Sequence, residues 1–166
     1  MSRPGRGPWG RRTLAAALGA FVLIGAGPSD TWEVVTGKYK GKPIIVRFDR
    51  GLARSVGDPG HPYQVGIAVP LLHPGPHGFP KDEELPALRE IEESIVTLFQ
   101  PAEDHLLAMV ISTNGMREFV IYSASPEKAK ERFAALRQRS AGHTPQFMVH
   151  EDKAWTVYKT LKAPER

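Results

Sequence analysis

The sequence predicts an α+β protein with a ferredoxin-like split βαβ sandwich (βαββαβ), plus an added N-terminal β-hairpin and a C-terminal helical turn. From residue 63 onward, runs with strand and helix periodicity follow in the order strand, helix, strand, strand, helix, strand. Two strand-like runs precede them, and a short aromatic helical segment follows. With 41% hydrophobic residues and no long linker, the chain supports one folded domain.

The predicted N-terminal hairpin comes from TWEVVTGKYKGKPIIVRFD, with a strand at 32–36, a turn at 40–42 and a second, alternating strand. The Asp-Pro-Gly stretch at 58–60 then supplies turn chemistry. In the following strand, YQVGIAVPLL, one face is apolar and the other carries the small residues Gly66 and Ala68. Small residues there let another element approach the backbone closely.

In two segments, apolar residues recur every three to four positions, which predicts helices with one buried face. The first is predicted to begin at Asp82 as the N-cap, with an acidic first turn, and to end before Pro101. The second begins at 125–127, where Ser-Pro-Glu supplies an N-cap, a proline at the first position and an acid. Gly142 ends that helical region.

The strand HLLAMVIST is apolar on both alternating faces, so we expect both faces of the sheet to be covered there. Asn114-Gly115 predicts a type I′ turn, after which REFVIYSAS returns as the partner strand. PQFMVHE is the last strand. Asp152, Trp155 and Tyr158 are three residues apart, which predicts a short capped helix with one aromatic face.

Residues 1–29 follow the pattern of a secretion signal, leaving 30–166 as a single α+β domain outside the cytoplasm, periplasmic or secreted. Arg11-Arg12 ends a basic region, and the apolar stretch at 14–24 is shorter than the ~20 residues that cross a bilayer. The prediction is therefore a cleaved segment, by the general or the twin-arginine route. The alternatives are an uncleaved membrane anchor and a buried N-terminal helix.

The charge of the chain is concentrated at its N-terminus. Residues 1–30 hold four arginines and one aspartate, leaving 18 of the 22 basic and 17 of the 18 acidic residues in 31–166. Nucleic-acid binding requires a concentrated basic face, so this nearly neutral body argues against a nucleic-acid partner. The absence of cysteine excludes disulfides, thiolate metal sites and cysteine nucleophiles.

No motif in the sequence predicts catalysis, a metal or a cofactor. A nucleophile elbow, a phosphate-binding loop and a zinc-protease motif are all absent. His73 and His77 are separated by Pro-Gly-Pro, which prevents the helix that would place them on one face. Glu92 and Glu93 diverge on their helix, so a solvated face is the preferred interpretation.

The binding candidates are polar residues of paired strands and two aromatic residues. Successive strand residues alternate, so Arg117 and Glu118 cannot share a face. A structural ion pair with the polar end of VRFD is the preferred interpretation of Arg117. The aromatic pair could stack on a ligand, although packing is the preferred role. The full set is Arg117, Glu118, Arg47, Asp49, Tyr122 and Trp155.

These patterns favour a non-catalytic binding or interaction domain with a protein or small-molecule partner. A sheet face or edge would present its contact surface. The alternative is a small hydrolase-like enzyme with a polar site around 114–118. That alternative requires Arg117, Glu118, Arg47 and Asp49 to converge in a concave pocket.

Several segments together resemble a bacterial family known only as a domain of unknown function, over nearly all of residues 31–162. Its members show a Leu-x-x-Ile-Glu-Asp-type helix, a Gly-x-Arg-Glu-aromatic hairpin and an Asp-x-x-Trp-x-x-Tyr end. LREIEESI, GMREF and DKAWTVY are similar to these. Some members are fused to domains like the regulator of ribonuclease E activity B, which implies a third possibility, an RNA-turnover-associated regulator. The export segment and the expected lack of a fused regulator domain weaken that implication, and the resemblance implies no catalytic residues.

Overall fold

The computed structural model describes residues 31–99 and 103–163, so the predicted export segment at 1–29 lies outside the described residues. The described chain is an α+β fold with a six-stranded antiparallel sheet, which confirms the predicted class. No helix in these two ranges is long and apolar enough to span a bilayer. The elements are β1 (Trp32–Tyr39), β2 (Lys42–Asp49), β3 (Tyr63–Pro70), α1 (Leu85–Phe99), β4 (His105–Thr113), β5 (Met116–Ser123), α2 (Pro126–Arg137), β6 (Gln146–Glu151) and α3 (Thr156–Leu161).

The strands lie in the order β1-β2-β4-β5-β3-β6. The N-terminal hairpin therefore extends the sheet, because β2 pairs with β4. Strand β1 continues to Tyr39, beyond the predicted 32–36. Lys40 (φ +50°) and Gly41 (φ +76°) form the tight turn, so pairing continues to the last pair before it, Tyr39 with Lys42.

Helices α1 and α2 cover one side of the sheet, called here the helix face. The buried residues of α1 follow the predicted three-to-four spacing, with Leu88, Ile91, Ile95 and Phe99 all inaccessible to solvent and Leu85 and Leu98 partly buried. Burial of each such side chain stabilises the fold by about 1.5–3 kcal/mol. These side chains share one buried cluster with residues of the three central strands: Val65, Ile67, Val69, Leu107, Val110, Phe119 and Ile121.

The opposite side, called here the α3 face, is covered by the C-terminal segment. Trp155 and Tyr158 are fully buried there, against Val120 and Tyr122 of β5. Because β4 and β5 pack on both sides, their sequences are apolar on both alternating faces. The two aromatic residues are therefore core contacts, but the helix is shorter than predicted: α3 begins at Thr156, and Trp155 precedes it as the N-cap residue with φ +53°.

Helix α1 begins differently from the prediction. A 3-10 turn, Asp82–Glu84, precedes it, and neither Asp82 nor the N-cap residue Lys81 provides a side-chain cap. The acidic side chain that matters is Glu84, which extends back to the preceding loop and accepts hydrogen bonds from the Leu72 amide at 2.6 Å and the His73 amide at 3.3 Å. Tertiary pairing of this carboxylate has replaced the local cap.

The loop between β3 and α1 docks on the turn between β4 and β5. Asn114 (φ +46°) and Gly115 (φ +80°) have the positive φ values predicted for the type I′ turn. Gly115 accepts a hydrogen bond from the Leu71 amide at 2.8 Å and donates one to the carbonyl of Gly78 at 2.9 Å. This turn therefore holds one end of the loop that carries Leu72 and His73.

Candidate functional site

Glu84 and His143 form a buried pair beside the start of α1. Glu84 Oε1 lies 2.8 Å from His143 Nε2, and the two side chains are 4% and 0% exposed. Burial alone would raise the pKa of Glu84, but hydrogen bonds from Leu72, His143 and His73 outweigh it and leave the pKa lowered. The carboxylate is therefore an anion that the protein itself has fully surrounded with donors.

The second ring nitrogen of His143 also has a partner. Nδ1 lies 3.3 Å from the carbonyl oxygen of Ala141 in the same loop. A catalytic base must offer a ring nitrogen to its substrate. In this geometry both nitrogens of His143 contact protein oxygens, so the pair holds two loops together and leaves no ring nitrogen for proton transfer.

A pocket of about 320 Å³ lies directly over this pair. This volume falls at the lower end of small-molecule pockets, roughly 300–1,000 Å³. The walls combine aliphatic groups with a few polar ones, as such pockets usually do. They are formed by the β3–α1 loop, the start of α1 and the α2–β6 loop: Leu72, His73, Lys81, Glu83, Glu84, Ala87, Ala141 and His143.

Two of the predicted site residues, Arg47 and Arg117, converge on the helix face. The Arg47 guanidinium forms an ion pair with Glu92 of α1, and Arg117 Nη1 lies 3.9 Å from the other oxygen of that carboxylate. Arg117 Nε also donates to Ser112 Oγ at 3.4 Å. The structural ion pair predicted for Arg117 is present, but its partner is Glu92, which the sequence had assigned to a solvated face.

Arg117 lies deep in this cluster, with 6% of its surface exposed. Desolvation lowers the pKa of its guanidinium and the nearby Arg47 lowers it further, while Glu92 and Glu84 raise it. The Arg47 guanidinium also lies 5.6 Å from the centre of the Trp32 ring. The arrangement joins β1, β2 and β5 to α1.

The other two polar candidates lie elsewhere. Asp49 accepts a hydrogen bond from the Gly51 amide at 2.8 Å and so caps the 3-10 turn Arg50–Ser55. Glu118 lies on the α3 face, opposite Arg117, because neighbouring strand residues alternate. The four polar candidates, Arg47, Asp49, Arg117 and Glu118, therefore do not converge in one pocket.

Tyr122 and Trp155 meet as parallel rings, with centroids 3.8 Å apart and planes 2° apart. Both are completely buried, and the indole N–H donates to the carbonyl of His61 at 3.1 Å. Tyr122 Oη donates to Asp152 at 3.0 Å, and desolvation raises its pKa. In this arrangement they are packing anchors, with no ring face open to a ligand.

Of two further histidines, His61 is partly buried and His105 is buried. His61 contacts Asp58 through Nδ1 at 2.7 Å and the carbonyl of Glu103 through Nε2 at 2.8 Å. His105 is 1% exposed, and neither of its ring nitrogens has a hydrogen-bond partner among the residues that the structure describes. Across residues 31–99 and 103–163 no group of three or more metal-ligating side chains comes together.

The Glu84–His143 pair and its pocket are the features that sequence reasoning missed. The two residues are 59 positions apart, and His143 sits in a stretch without periodicity. Glu84 lies in the acidic first turn of the predicted helix, so the sequence indicated only that it stabilises the start of that helix. Nothing in the sequence pairs these two residues, because the contact depends on how two loops pack.

A family model described as "Family of unknown function (DUF695)" matches residues 30–161 of the chain. This range includes every residue of the pocket and of the arginine cluster. No significant match was found among curated proteins or among solved structures.

Proposed function

The chain belongs to this family of unknown function, as its sequence resemblance predicted, and we propose that it is an exported, non-catalytic binding domain that holds a small molecule in the pocket over Glu84 and His143. The observation that carries the proposal is the pocket itself, whose buried polar pair is already satisfied by protein groups. The pocket walls are therefore already formed before a ligand binds. It would gain burial without meeting a group poised for proton transfer.

The rim of the pocket favours a ligand with both apolar and polar parts. Leu72 is a large apolar side chain that remains 52% exposed beside the pocket. Lys81 and Glu83 supply one charge of each sign at the same opening. A small zwitterionic or neutral polar molecule with an aliphatic portion fits this chemistry better than a polyanion.

The polar candidate residues of β2 and β5 lie apart from one another, which favours binding over hydrolysis. Arg47 and Arg117 share the carboxylate of Glu92, Asp49 caps a turn, and Glu118 lies on the other face. The hydrolase alternative needed these side chains around one cavity. The described geometry gives that alternative no assembled site.

We further infer that β3-α1-β4-β5-α2-β6 is a ferredoxin-like unit to which the β1–β2 hairpin is added. The order β4-β5-β3-β6 within the sheet supports this, since each helix connects two strands separated by one antiparallel neighbour. In such a unit the loop before α1 and the loop after α2 approach one another. The pocket occupies that meeting point.

Export is supported by the basic and apolar pattern of residues 1–29. In the native host, we expect the protein outside the cytoplasm with an N-terminus near residue 30. N-terminal sequencing of protein recovered from the extracytoplasmic fraction tests this. An intact Met1 or Ser2 on that protein contradicts removal of the segment.

The pocket is tested with a substitution that fills it. Ala87 lines the pocket and is only partly exposed, so Ala87→Phe should occupy the ligand volume. Ala134→Phe adds the same side chain to an exposed position of α2 and is the matched control. Ligand-observed NMR with a library of small organic fragments measures binding to each.

We expect fragments that bind the wild-type protein and Ala134→Phe equally and lose binding to Ala87→Phe. Thermal unfolding of both variants checks that each remains folded. Fragment binding that survives Ala87→Phe, or a wild-type protein that binds no fragment, contradicts the proposed pocket.

A further inference from the structure

Strand β1 forms one edge of the sheet, and its outer side is open. It lies at the end of the order β1-β2-β4-β5-β3-β6, and among the described residues only β2 pairs with it. All 8 of its residues pair with β2 in one unbroken register. Edge strands of soluble proteins are usually short, bulged, covered or charged, because a long regular edge is a template for another strand. The central residues of β1, 34–37, carry no charge, so this edge is suited to pairing.

The hairpin determines which backbone groups of β1 point outward. Tyr39 and Lys42 flank its two-residue turn, and in such hairpins the flanking residues exchange both backbone hydrogen bonds. Hydrogen-bonded and non-hydrogen-bonded pairs alternate along antiparallel strands, so every second residue from 33 to 39 bonds to β2. The residues between them direct their amide and carbonyl groups away from the sheet: Trp32, Val34, Thr36 and Lys38.

The side chains along this edge are uncovered as well. Among the described residues, few large hydrophobic side chains remain accessible, and two of them lie on β1: Val34 is 57% exposed and Tyr39 is 40% exposed. Val34 lies on the helix face, opposite Arg47 of β2, and Tyr39 lies on the α3 face. The edge therefore combines outward backbone donors and acceptors with apolar surface that water now contacts.

The sequence of β1 is complementary to itself in one antiparallel register. Residues with outward backbone groups must lie opposite each other for two edges to exchange hydrogen bonds. If a two-fold axis passes between the two copies of Val35, then Val34 of each copy lies opposite Thr36 of the other. Pairs of β-branched residues stabilise antiparallel strands. The centre of this pairing is therefore β-branched and uncharged.

The ends of the same register are also compatible. Trp32 of each copy lies opposite Lys38 of the other, which allows a cation–π contact. Glu33 lies opposite Gly37, so no two like charges face each other. A shift of two residues toward the turn would place Lys38 opposite Val34, while the opposite shift would shorten the paired segment. The first register is therefore the best match.

We propose that two copies of this chain dimerise through β1, pairing antiparallel in this register and joining their sheets into one continuous sheet. The interface is isologous, because the two-fold axis places the same strand on both sides. A single strand pair buries less than the roughly 1,200–2,000 Å² of stable interfaces, so the dimer is reversible. The proposal does not depend on the pocket, whose loops adjoin β3 and β6 at the other end of the strand order.

Analytical ultracentrifugation of the full chain over a range of concentrations measures the association, and we expect a monomer–dimer equilibrium. Thr36→Lys places a charge at the centre of the edge, near the same charge of the other copy, and should weaken dimerisation at least about tenfold. Gln146→Lys adds the same charge to an exposed residue of β6, at the opposite edge, and is the matched control. Thermal unfolding checks that both variants remain folded. A protein that stays monomeric at every concentration, or equal weakening by the two variants, would overturn the proposal.

Backbone amide exchange shows whether the association occurs at β1. The amides of Val34 and Thr36 point outward, so their exchange should slow as the protein concentration rises. Those of Val35 and Gly37 bond to β2 and should be protected at every concentration. If the protein dimerises while exchange at Val34 and Thr36 is independent of concentration, the interface lies elsewhere and the proposal is wrong.

Cross-linking tests the register, since the chain has no cysteine of its own. Val35→Cys places two thiols across a non-hydrogen-bonded pair, whose Cα atoms are roughly 4.5 Å apart and thus within disulfide range. Thr36→Cys lies diagonal to its own copy and is the comparison variant. With oxidised glutathione, we expect Val35→Cys to form disulfide-linked dimers at least about tenfold faster. Equal or faster cross-linking of Thr36→Cys would overturn the proposed pairing.

Discussion

Gly78 is the residue whose backbone position most directly supports the pocket loop. Its φ is +75°, and an added Cβ would lie 2.8 Å from the Gly115 nitrogen and 2.9 Å from Asn114 Cα. Both the backbone conformation and the close approach therefore require glycine. The loop that carries Leu72 and His73 depends on this contact with the hairpin turn.

Gly78→Ala should lower the free energy of unfolding by at least about 2 kcal/mol, because left-handed strain adds to a backbone collision. Gly41→Ala is the matched control: its φ is +76°, but nothing lies within 4 Å of the added Cβ. Urea unfolding of the two variants separates the collision from the strain. Equal destabilisation would contradict the docking of this loop.

Glu84 provides a second test at the residue scale. Glu84→Ala leaves two backbone amides and His143 Nε2 without their acceptor, so we expect a loss of about 3 kcal/mol in unfolding free energy. Glu83→Ala, exposed and adjacent, should change it by less than about 0.5 kcal/mol. Similar values for both variants would show that the buried pair does not hold the loops.

Prediction from sequence succeeded at this scale where the physics is local. The Asn114-Gly115 turn and the Ser125 cap follow from backbone preferences that a few neighbouring residues determine. Glu92 failed as a prediction because its role depends on Arg47 and Arg117 from other strands. Helical spacing shows which residues share a face, but the neighbour that a polar face meets is set by tertiary packing.

Helix α3 shows how one short element covers a whole sheet face. It has only six residues, and isolated helices of that length are unstable in water. Asp152 holds its start by accepting hydrogen bonds from the amides of Thr156 at 2.9 Å and Val157 at 3.3 Å, as well as from Tyr122. Burial of Trp155 and Tyr158 supplies the rest of its stability.

Asp152→Ala should therefore cost about 2–3 kcal/mol in unfolding free energy and accelerate amide exchange across α3. Lys153→Ala, an exposed neighbour, should leave both quantities nearly unchanged. Hydrogen–deuterium exchange measures the local effect. Unchanged protection of α3 in Asp152→Ala would contradict the capping role.

The elements themselves were largely predictable, while their placement was not. Alternation in YQVGIAVPLL and three-to-four spacing in LREIEESI each identify an element and its buried side. The sequence pattern of β2 does not show that this strand pairs with β4. A half-buried strand can extend the edge of a sheet or form part of a separate layer that packs on it. Aromatic spacing identified α3, and only packing shows that it covers the second face.

At the scale of the whole molecule, His105 makes stability depend on pH. It is buried at the start of β4, and desolvation, followed by the positive charge of Arg132, lowers its pKa, although Asp104 opposes this. The unfolded chain therefore takes up a proton near the ordinary pKa of about 6.5 while the folded chain does not. Stability is complete above that pH and falls as the pH drops below it.

We expect the free energy of unfolding to decline from about pH 6.5 downward, well before the carboxylates contribute. Glu84 and Asp152 have lowered pKa values, so their contribution is present above about pH 4.3 and lost only at lower pH. His105→Phe should remove the first decline and keep the second. Urea unfolding across this pH range checks it, and a first decline that persists in His105→Phe would assign it to another group.

We propose that the protein binds a small molecule over the Glu84–His143 pair without reacting with it. The most direct measurement is a two-dimensional ¹H–¹⁵N NMR titration of the full chain with the tightest-binding fragment. We expect shifts confined to the amides around Leu72, Ala87 and Ala141, and a fragment recovered chemically unchanged. Shifts centred elsewhere on the sheet, or conversion of the fragment into a product, would contradict it.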